Sequence, residues 1–298
     1  MFYTTLLLSL FLGSLSLEAN SLKKEEQKCV TVRLDGQFGN QLFEIAAAYA
    51  YSLDHNISLT VPDLINRTHD GIPHNAKRVF LAKIPTYSPS SSPALVWQEP
   101  SFNYSPIPDS PSIHLQGYFQ SDKYFKHRRE EILQLFAVPE KLKEEILIKY
   151  PVLASDQLVV GIQIRDYGKE TYLQPPGAYH PTIGRSYYQK AIAHFPENTL
   201  FLVSTNSPQF AKKCTEGLAK NIIYLNGADH IEEFYTLVLC KSFIISNSSF
   251  GWWASWLSTA QNKEVIAPNP WFSLPYDNNS MRKDLLPTNY LVFEVNQD

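Results

Sequence analysis

The sequence predicts an α/β protein in which two layers of parallel strands, each doubly wound by helices, form two domains. The first observation is a strand, helix and strand within residues 29–61, and the second is a fivefold alternation of strand and helix after residue 157. The third is the break at Pro151 between them. With 298 residues the chain is long enough for two domains, which we place at 28–150 and 151–298.

Hydrophobic periodicity places the elements of the N-terminal domain. Apolar residues run or alternate in its strands and recur every three to four residues in its helices. The predicted order is strand 29–34, helix 38–53, strand 57–61, strand 113–117, helix 126–138 and helix 139–150. Residues 85–112 are rich in Ser and Pro, which predicts an irregular surface segment.

The C-terminal domain shows the regular alternation of a parallel sheet. Its first strand contains Val159, Val160, Ile162 and Ile164, which is typical of a strand buried on both faces. The predicted order is strand 157–164, helix 186–195, strand 200–205, helix 208–218, strand 221–225, helix 231–242, strand 243–247, helix 250–258 and strand 264–272. Three tryptophans of the last helix are predicted to be core residues facing the sheet rather than a stacking platform: Trp252, Trp253 and Trp256.

Residues 1–21 do not resemble part of this fold. The run from Phe2 to Leu17 is apolar or small, too short for a comfortable membrane span but of the length of a signal-peptide core. We therefore expect a signal peptide or a short signal anchor, with membrane association or a secretory lumen (Golgi-like in a eukaryote) as the location and bacterial export or the cell envelope as the alternative. Five Asn-X-Ser/Thr sequons give mild support to a lumen, at Asn56, Asn66, Asn103, Asn247 and Asn278. We expect Asn66 and Asn103 to be accessible and Asn247 to be protected.

The composition disfavours two kinds of partner. A net charge of −3 without a Lys/Arg cluster provides no positive surface for nucleic acid. Cys29, Cys214 and Cys240 show no CxxC spacing, so we predict neither a zinc site nor a disulfide framework, while one bond from Cys29 to another cysteine stays open. The histidines also lack the spacing of metal ligands.

The stretch "GQFGNQ" at 36–41 turns a strand into a helix within about four residues. Glycine permits positive φ and close approach of a ligand, and the free N–H groups of a first helical turn favour an anion. Gly36, Gly39 and Asn40 are therefore candidate ligands of a phosphate group. The structural alternative is a tight turn in which Asn40 only caps the helix.

Polar side chains follow three strands of the C-terminal domain, where ligands of open parallel sheets lie. They are Arg165 and Asp166, then Ser204 and Asn206, then Asn247, Ser248 and Ser249. The planar, permanently charged Arg165 suits a diphosphate, unless it pairs with Asp166 or a nearby Glu. We expect Asn247 to contact the ligand, whereas each serine either contacts it or caps the next helix.

Five segments together resemble one enzyme family. "GQFGNQLFEIAAAYAYS", "LQGYFQSDKYF", "YYQKAI", "EEFYTLVLCKSFIISNSSFGWWASWL" and "VIAPNPWF" are similar, in order and spacing, to the α-1,2-fucosyltransferases of glycosyltransferase family 11. The resemblance spans nearly all of residues 30–272. It implies a GT-B fold, in which a Rossmann-like acceptor domain faces a Rossmann-like donor-nucleotide domain across a cleft. It also implies inverting transfer of fucose from GDP-fucose to a galactoside hydroxyl of a glycan, without a metal or other cofactor.

Two segments depart from the family pattern. The family has His-X-Arg-Arg-Gly-Asp-Tyr where this chain has "QIRDY" at 163–167, and Ser-Asp-Asp where it has "STN" at 204–206. These departures leave two alternatives: a non-catalytic or weakly active sugar- or nucleotide-binding member, and a transferase of another nucleotide sugar. A nicotinamide-dependent oxidoreductase is disfavoured because the three-glycine fingerprint is missing.

We predict Arg165 and Asp166 as catalytic residues. Without a metal, Arg165 and the helix N-termini would stabilise the charge of the departing GDP. The base that takes the acceptor proton is either Asp166, Glu44 or His180, and Asp166 leads because it matches a family position.

Overall fold

The computed structural model describes residues 28–66, 83–169, 179–227, 229–273 and 283–295. Its strands are β1 (Cys29–Val32), β2 (Ser58–Thr60), β3 (Leu95–Gln98), β4 (Ser112–Gln116), β5 (Val159–Ile164), β6 (Leu200–Thr205), β7 (Ile222–Tyr224), β8 (Ser242–Ile244), β9 (Val265–Asn269) and β10 (Leu291–Glu294). Its helices are α1 (Phe38–His55), α2 (Asp63–Asn66), α3 (Arg129–Leu135), α4 (Glu140–Lys149), α5 (Arg185–Ile192), α6 (Pro208–Thr215), α7 (His230–Val238) and α8 (Ser249–Leu257).

Two parallel sheets organise the described chain. The first has the strand order β2-β1-β4-β3 and the second the order β10-β9-β8-β5-β6-β7. All strand pairs within them are parallel. Adjacent parallel strands must be joined by crossover connections, and helices form most of these connections here. The predicted α/β class with Rossmann-like layers is confirmed.

Two edge strands occur where the sequence predicted none. β3 lies inside the segment 85–112 that we expected to be irregular, and β10 follows the last predicted strand. β3 alternates between half-buried and exposed residues, and three of the four residues of β10 are exposed. Each begins with three apolar residues, Leu-Val-Trp in β3 and Leu-Val-Phe in β10, but the run in β3 lies within a Ser- and Pro-rich segment that we interpreted as irregular. The helix expected at 126–138 is also shorter, because short 3-10 turns at Asp122–Tyr124 and Lys126–Arg128 precede α3.

A tryptophan-rich core joins the two sheets. Trp252 and Trp253 of α8 are fully buried, and their ring centroids lie 4.4 and 4.9 Å from that of Phe43 on α1. Phe125 stacks on Trp253 at 5.1 Å. The prediction of core tryptophans is confirmed, but they pack against α1 from the other half of the chain, so the contact of α1 with α8 fixes how the two sheets meet.

A second core covers the opposite face of the six-stranded sheet. Val160, Ile162 and Ile164 of β5 pack there with Tyr187 and Tyr188 of α5. The alternate residues of β5 face α7 and α8, where a Cβ on Gly161 would lie 3.0 Å from the Leu237 side chain. Burial on both faces explains why β5 is nearly all apolar in sequence.

The structure tests part of what we expected of the N-terminal segment and the sequons. Residues 1–21, the predicted signal segment, and Asn278 lie outside the described residues, as does the side chain of Asn66. Within the described ranges, no helix is both long and apolar enough to cross a membrane. Asn103 is buried, so the prediction that it is accessible is wrong. Asn247 is buried, as expected. Asn56, at the left-handed C-cap of α1, is exposed. All three cysteines are buried, and none of them forms a disulfide bond.

Candidate active site

Three helices begin at one place where the two sheets meet. The ring of Phe38, the first residue of α1, lies 5.8 Å from His230 and 4.9 Å from Phe234 of α7, measured between centroids. It also lies 6.1 Å from Phe250 in the first turn of α8. The N-terminal ends of the three helices, with their partial positive charge, therefore converge, and the side chains of Asp229 and Ser248 cap α7 and α8.

The two glycines of the opening turn have different structural roles. Gly36 has a φ of +66°, a conformation that residues with a Cβ rarely adopt. A Cβ on Gly39 would lie 2.5 Å from Ser249 Oγ and 2.6 Å from the Ser249 carbonyl carbon. Gly39 thus permits the close approach of α1 to α8, a packing requirement that the sequence argument attributed to a ligand.

Replacing Gly39 by alanine should separate α1 from α8 and lower the free energy of unfolding by about 1–3 kcal/mol, the usual cost of overpacking. Urea denaturation measures this change. Gly168→Ala is the matched control, because its new Cβ would meet only Asp166 Oδ1, at 3.2 Å, and no backbone atom within 4 Å. Equal stability of the two variants would contradict the packing assigned to Gly39.

Asn40 connects both halves of the chain at this junction. Its Oδ1 accepts hydrogen bonds from Gln120 Nε2, after β4, at 3.0 Å and from Ser249 Oγ, in α8, at 2.8 Å. These two donors fix the orientation of the carboxamide. Its NH2 group consequently points toward the Gly36 turn, where a Cβ on Gly36 would lie only 2.2 Å from Asn40 Nδ2.

Arg165 reaches the same turn from the other sheet. It follows β5, and its Nη2 donates to Oε1 of Gln37, the N-cap residue of α1, at 2.8 Å. Its Cζ lies 5.7 Å from the centroid of the Tyr167 ring. The expected convergence of Arg165 with the glycine-containing turn is therefore present in the structure, through Gln37, a residue the sequence argument did not single out.

Asp166 and Asn206 hold the loop after β5 in place. The Asn206 side chain accepts from the Asp166 N–H at 2.8 Å and donates to the Asp166 carbonyl at 3.0 Å. The buried Asp166 carboxylate accepts from the Gly168 N–H at 3.0 Å, at the turn Tyr167–Lys169. These bonds assign both residues a structural role, and they do not support Asp166 as the base or Asn206 as a donor ligand.

Three other expected donor ligands are held by the protein itself. Asn247 is fully buried and its Nδ2 donates to the carbonyls of Pro181 and Trp271, so its expected ligand contact is not supported. The Ser248 hydroxyl caps α8 by accepting from the Phe250 N–H. Ser204 Oγ donates to Glu233 Oε2 at 2.6 Å. Strand-end position alone did not reveal which way these side chains point.

Two acidic residues near these loops were not singled out by the sequence analysis. Glu233, in the first turn of α7, accepts from Ser204, and burial raises its pKa. Glu99 follows β3 and accepts from the N–H groups of Tyr118 and Phe119, both at 2.9 Å, and from the Tyr124 hydroxyl at 3.0 Å. Burial raises the pKa of Glu99 to about 7, although these three donors stabilise the charged carboxylate and so act to lower it. Glu99 thereby holds the turn that presents Gln120 to Asn40.

Of the three residues named as candidates for the base, Glu44 also has a structural role. It is fully buried in α1, and both carboxylate oxygens accept from the Asp35 N–H, at 3.1 and 3.0 Å. His180, by contrast, is partly exposed and lies against Tyr167 beside Arg165. In the described ranges no three His, Cys, Asp or Glu side chains group as metal ligands.

Comparison with known proteins identifies the family. The model of the family described as Glycosyl transferase family 11 matches residues 1–284. The chain belongs to this family. It is therefore a glycosyltransferase, and the resemblance noted in the sequence is confirmed.

The relatives are distant but similar over most of the chain. The α-1,2-colitosyltransferase of Escherichia coli is 23% identical over 270 residues, which cover 82% of this chain and 92% of that protein. The galactoside α-(1,2)-fucosyltransferase 2 of Oryctolagus cuniculus is 23% identical over 265 residues, 83% of this chain and 72% of that protein. A solved mutant of Arabidopsis thaliana FUT1 in complex with GDP has a TM-score of 0.50 at 14% identity, covering 84% of this chain and 73% of that one. The last similarity supports the GT-B fold alone.

Proposed function

We propose that this family 11 enzyme transfers fucose from GDP-fucose to the 2-hydroxyl of a galactoside, with inversion at the anomeric carbon. The observation that carries the proposal is the contact of Arg165 with the Gly36–Asn40 turn through Gln37. It places a guanidinium beside the N-terminus of α1, and both favour a diphosphate. The proposal draws its donor and linkage from the α-(1,2)-fucosyltransferase relative.

The carboxamide of Asn40 adds a directed donor to this site. Because its Oδ1 already accepts two hydrogen bonds, its NH2 group is the part left for a ligand beside Gly36. A neutral N–H donor and a guanidinium can together stabilise the negative charge that develops on the departing GDP. In this proposal no metal ion is required to bind the diphosphate.

One departure from the family pattern, Gln163, lies away from these groups. Gln163, where the family has His, is 4% exposed, and its Oε1 accepts from the Ser246 hydroxyl inside the sheet. The change from His to Gln therefore modifies a contact between the β5 and β8 regions and not the junction at Asn40 and Arg165. The shortening directly after Arg165 and the change to Ser204–Asn206 lie beside the junction, so activity is decided by the donor screen described below.

One observation supports a different donor sugar as the alternative to fucose. The colitosyltransferase relative aligns over 92% of its own length, and its name carries the same α-1,2 linkage. The junction of Asn40 and Arg165 would contact the diphosphate, which is common to nucleoside diphosphate sugars, and does not distinguish their sugars. GDP-colitose is therefore the first alternative to GDP-fucose.

The experiment that tests the proposed function is a donor screen in EDTA with a β-galactoside acceptor. We expect GDP release from GDP-fucose and a product whose NMR spectrum shows an α-1,2 linkage. Release only from GDP-colitose would move the assignment to the alternative donor. GDP binding without release from any donor would identify a non-catalytic member.

Replacing Asn40 by aspartate should weaken GDP binding about thirtyfold, or ~2 kcal/mol, the value of a hydrogen bond to a charged group. The new carboxylate can still accept from Gln120 and Ser249, but it replaces the donor NH2 by a negative oxygen. Calorimetry measures the affinity, and Asn56→Asp at the exposed C-cap of the same helix is the control. A lower melting temperature with unchanged GDP affinity would limit Asn40 to a structural role.

A further inference from the structure

His180 lies in a row of aromatic rings that crosses from one half of the chain to the other. Its imidazole stacks on Tyr167 with centroids 4.6 Å apart and an interplanar angle of 13°, and Phe272 lies 5.1 Å away. Phe272 in turn lies 5.5 Å from Phe102, which belongs to the connection between β3 and β4. The imidazole therefore lies at the junction of the two halves, where donor and acceptor would meet.

The protein fixes the tautomer of this imidazole. His180 Nδ1 lies 3.3 Å from the Trp271 carbonyl oxygen, which can only accept a hydrogen bond. Nδ1 therefore carries the hydrogen, and the lone pair of the neutral ring lies on Nε2. The Trp271 carbonyl is itself held by Asn247 Nδ2 at 3.0 Å, which gives the buried Asn247 a role in positioning His180.

Among the described residues, Arg165 is the charged group whose field acts on His180. Both lie against the Tyr167 ring, Arg165 with its Cζ 5.7 Å from the centroid. The other described residues in contact with the ring are uncharged: Tyr167, whose hydroxyl donates to the Asn247 carbonyl, and Trp271 and Phe272 after β9. Burial, and secondarily the positive charge of Arg165, lower the pKa of His180 to about 4. The imidazole is accordingly neutral at physiological pH.

We propose that His180 Nε2 accepts the proton of the attacking acceptor hydroxyl, in a step that rests on the transfer proposed above. The hydroxyl oxygen forms the bond to the anomeric carbon of the sugar, and the bond from that carbon to the diphosphate oxygen breaks. GDP leaves with the electron pair, and the hydroxyl proton passes to Nε2 and then to water. Asp166 and Glu44, the other residues considered for this role, accept backbone hydrogen bonds instead.

Donor binding should strengthen this base. A diphosphate on Arg165 would offset the positive charge that disfavours the imidazolium and would add negative charge near the ring. The pKa of His180 should therefore rise when GDP binds. The base would thus be weakest in the empty enzyme and strongest when the leaving group is in place.

The experiment combines NMR and kinetics on the full chain. The chain contains 8 histidines, and the His180 ring signals are assigned by their loss in His180→Gln. We expect saturating GDP to raise the pKa of His180 by about one unit or more. An unchanged pKa would overturn the proposal, and this readout does not depend on turnover or on the sugar of the donor.

The kinetic arm separates proton transfer from structure. His180→Gln should reduce kcat about a hundredfold, the usual contribution of general base catalysis, while changing the Kd of GDP less than twofold. His194→Gln, on the surface near Glu264, should leave kcat unchanged. An unchanged kcat in His180→Gln, or a parallel loss of GDP affinity and melting temperature, would contradict the proposal. If the wild-type enzyme released no GDP from any donor, the function proposed above would fail, while the NMR titration would still test where His180 lies relative to the diphosphate.

Discussion

Replacing Arg165 by alanine should lower kcat/KM roughly a thousandfold, about 4 kcal/mol, the upper range for removing one donor that stabilises a developing anion. Arg165 reaches the N-terminus of α1 from the opposite sheet, so its loss removes the cationic group that we place on the diphosphate. Arg165→Lys retains the charge but not the planar pair of donors, and should cost about thirtyfold, or ~2 kcal/mol. Steady-state kinetics with GDP-fucose measures both.

Two controls distinguish the diphosphate contact from a structural role of Arg165. Arg185→Ala removes an arginine on α5 that donates to the Lys213 carbonyl, and it should leave turnover unchanged. The pairing of Arg165 with Asp166, considered from the sequence, predicts instead that Asp166→Asn and Arg165→Ala destabilise the fold equally. Asp166 accepts from Gly168, and Arg165 donates to Gln37, so we expect different melting temperatures for the two variants.

The second large effect concerns stability. The wild-type free energy of unfolding should contain a contribution from Glu99 of about 3 kcal/mol that is present below pH 4.5 and lost as the pH rises to about 7. The direction follows from the raised pKa, because between these two pH values the folded protein binds a proton that the unfolded chain has released. Burial of the carboxyl is the cause.

Glu99→Gln should abolish this part of the pH dependence. The glutamine cannot ionise, its Oε1 can accept from the Tyr118 and Phe119 N–H groups, and its Nε2 can donate to the Tyr124 oxygen. Urea denaturation of both proteins from pH 4.5 to 8 measures the difference, and other titrating groups cancel because both proteins contain them. Parallel profiles would show that Glu99 does not titrate in this range.

The sequence predicts the central elements of the fold better than the edges. β5 is buried on both faces, so its apolar run was unmistakable, and α1 shows regular helical spacing over most of its length. The edge strands β3 and β10 were missed although each begins with three apolar residues, β3 because Ser- and Pro-rich sequence surrounds it. A short apolar run outside a regular alternation of strand and helix did not suffice to predict a strand.

The candidate site was predictable only in part, for a geometric reason. Position after a strand located Arg165, and the glycine spacing located the turn at Asn40. The contact of Asn40 with Ser249 joins residues 209 positions apart, and that of Arg165 with Gln37 joins residues 128 apart, so no local spacing reveals them. The inward orientation of Asn247 depends on the packing of the loops at Pro181 and Trp271.

The central claim is that Arg165 and the α1 turn bind the diphosphate, and the most direct test compares GDP with GMP in calorimetry. The account predicts that the wild-type protein binds GDP much more tightly than GMP in EDTA, because GMP lacks the second phosphate, and that Arg165→Ala removes most of this preference. It predicts the same direction for Asn40→Asp, with a smaller effect. An equal preference for GDP over GMP in the wild type and in Arg165→Ala would contradict the claim and place the diphosphate elsewhere.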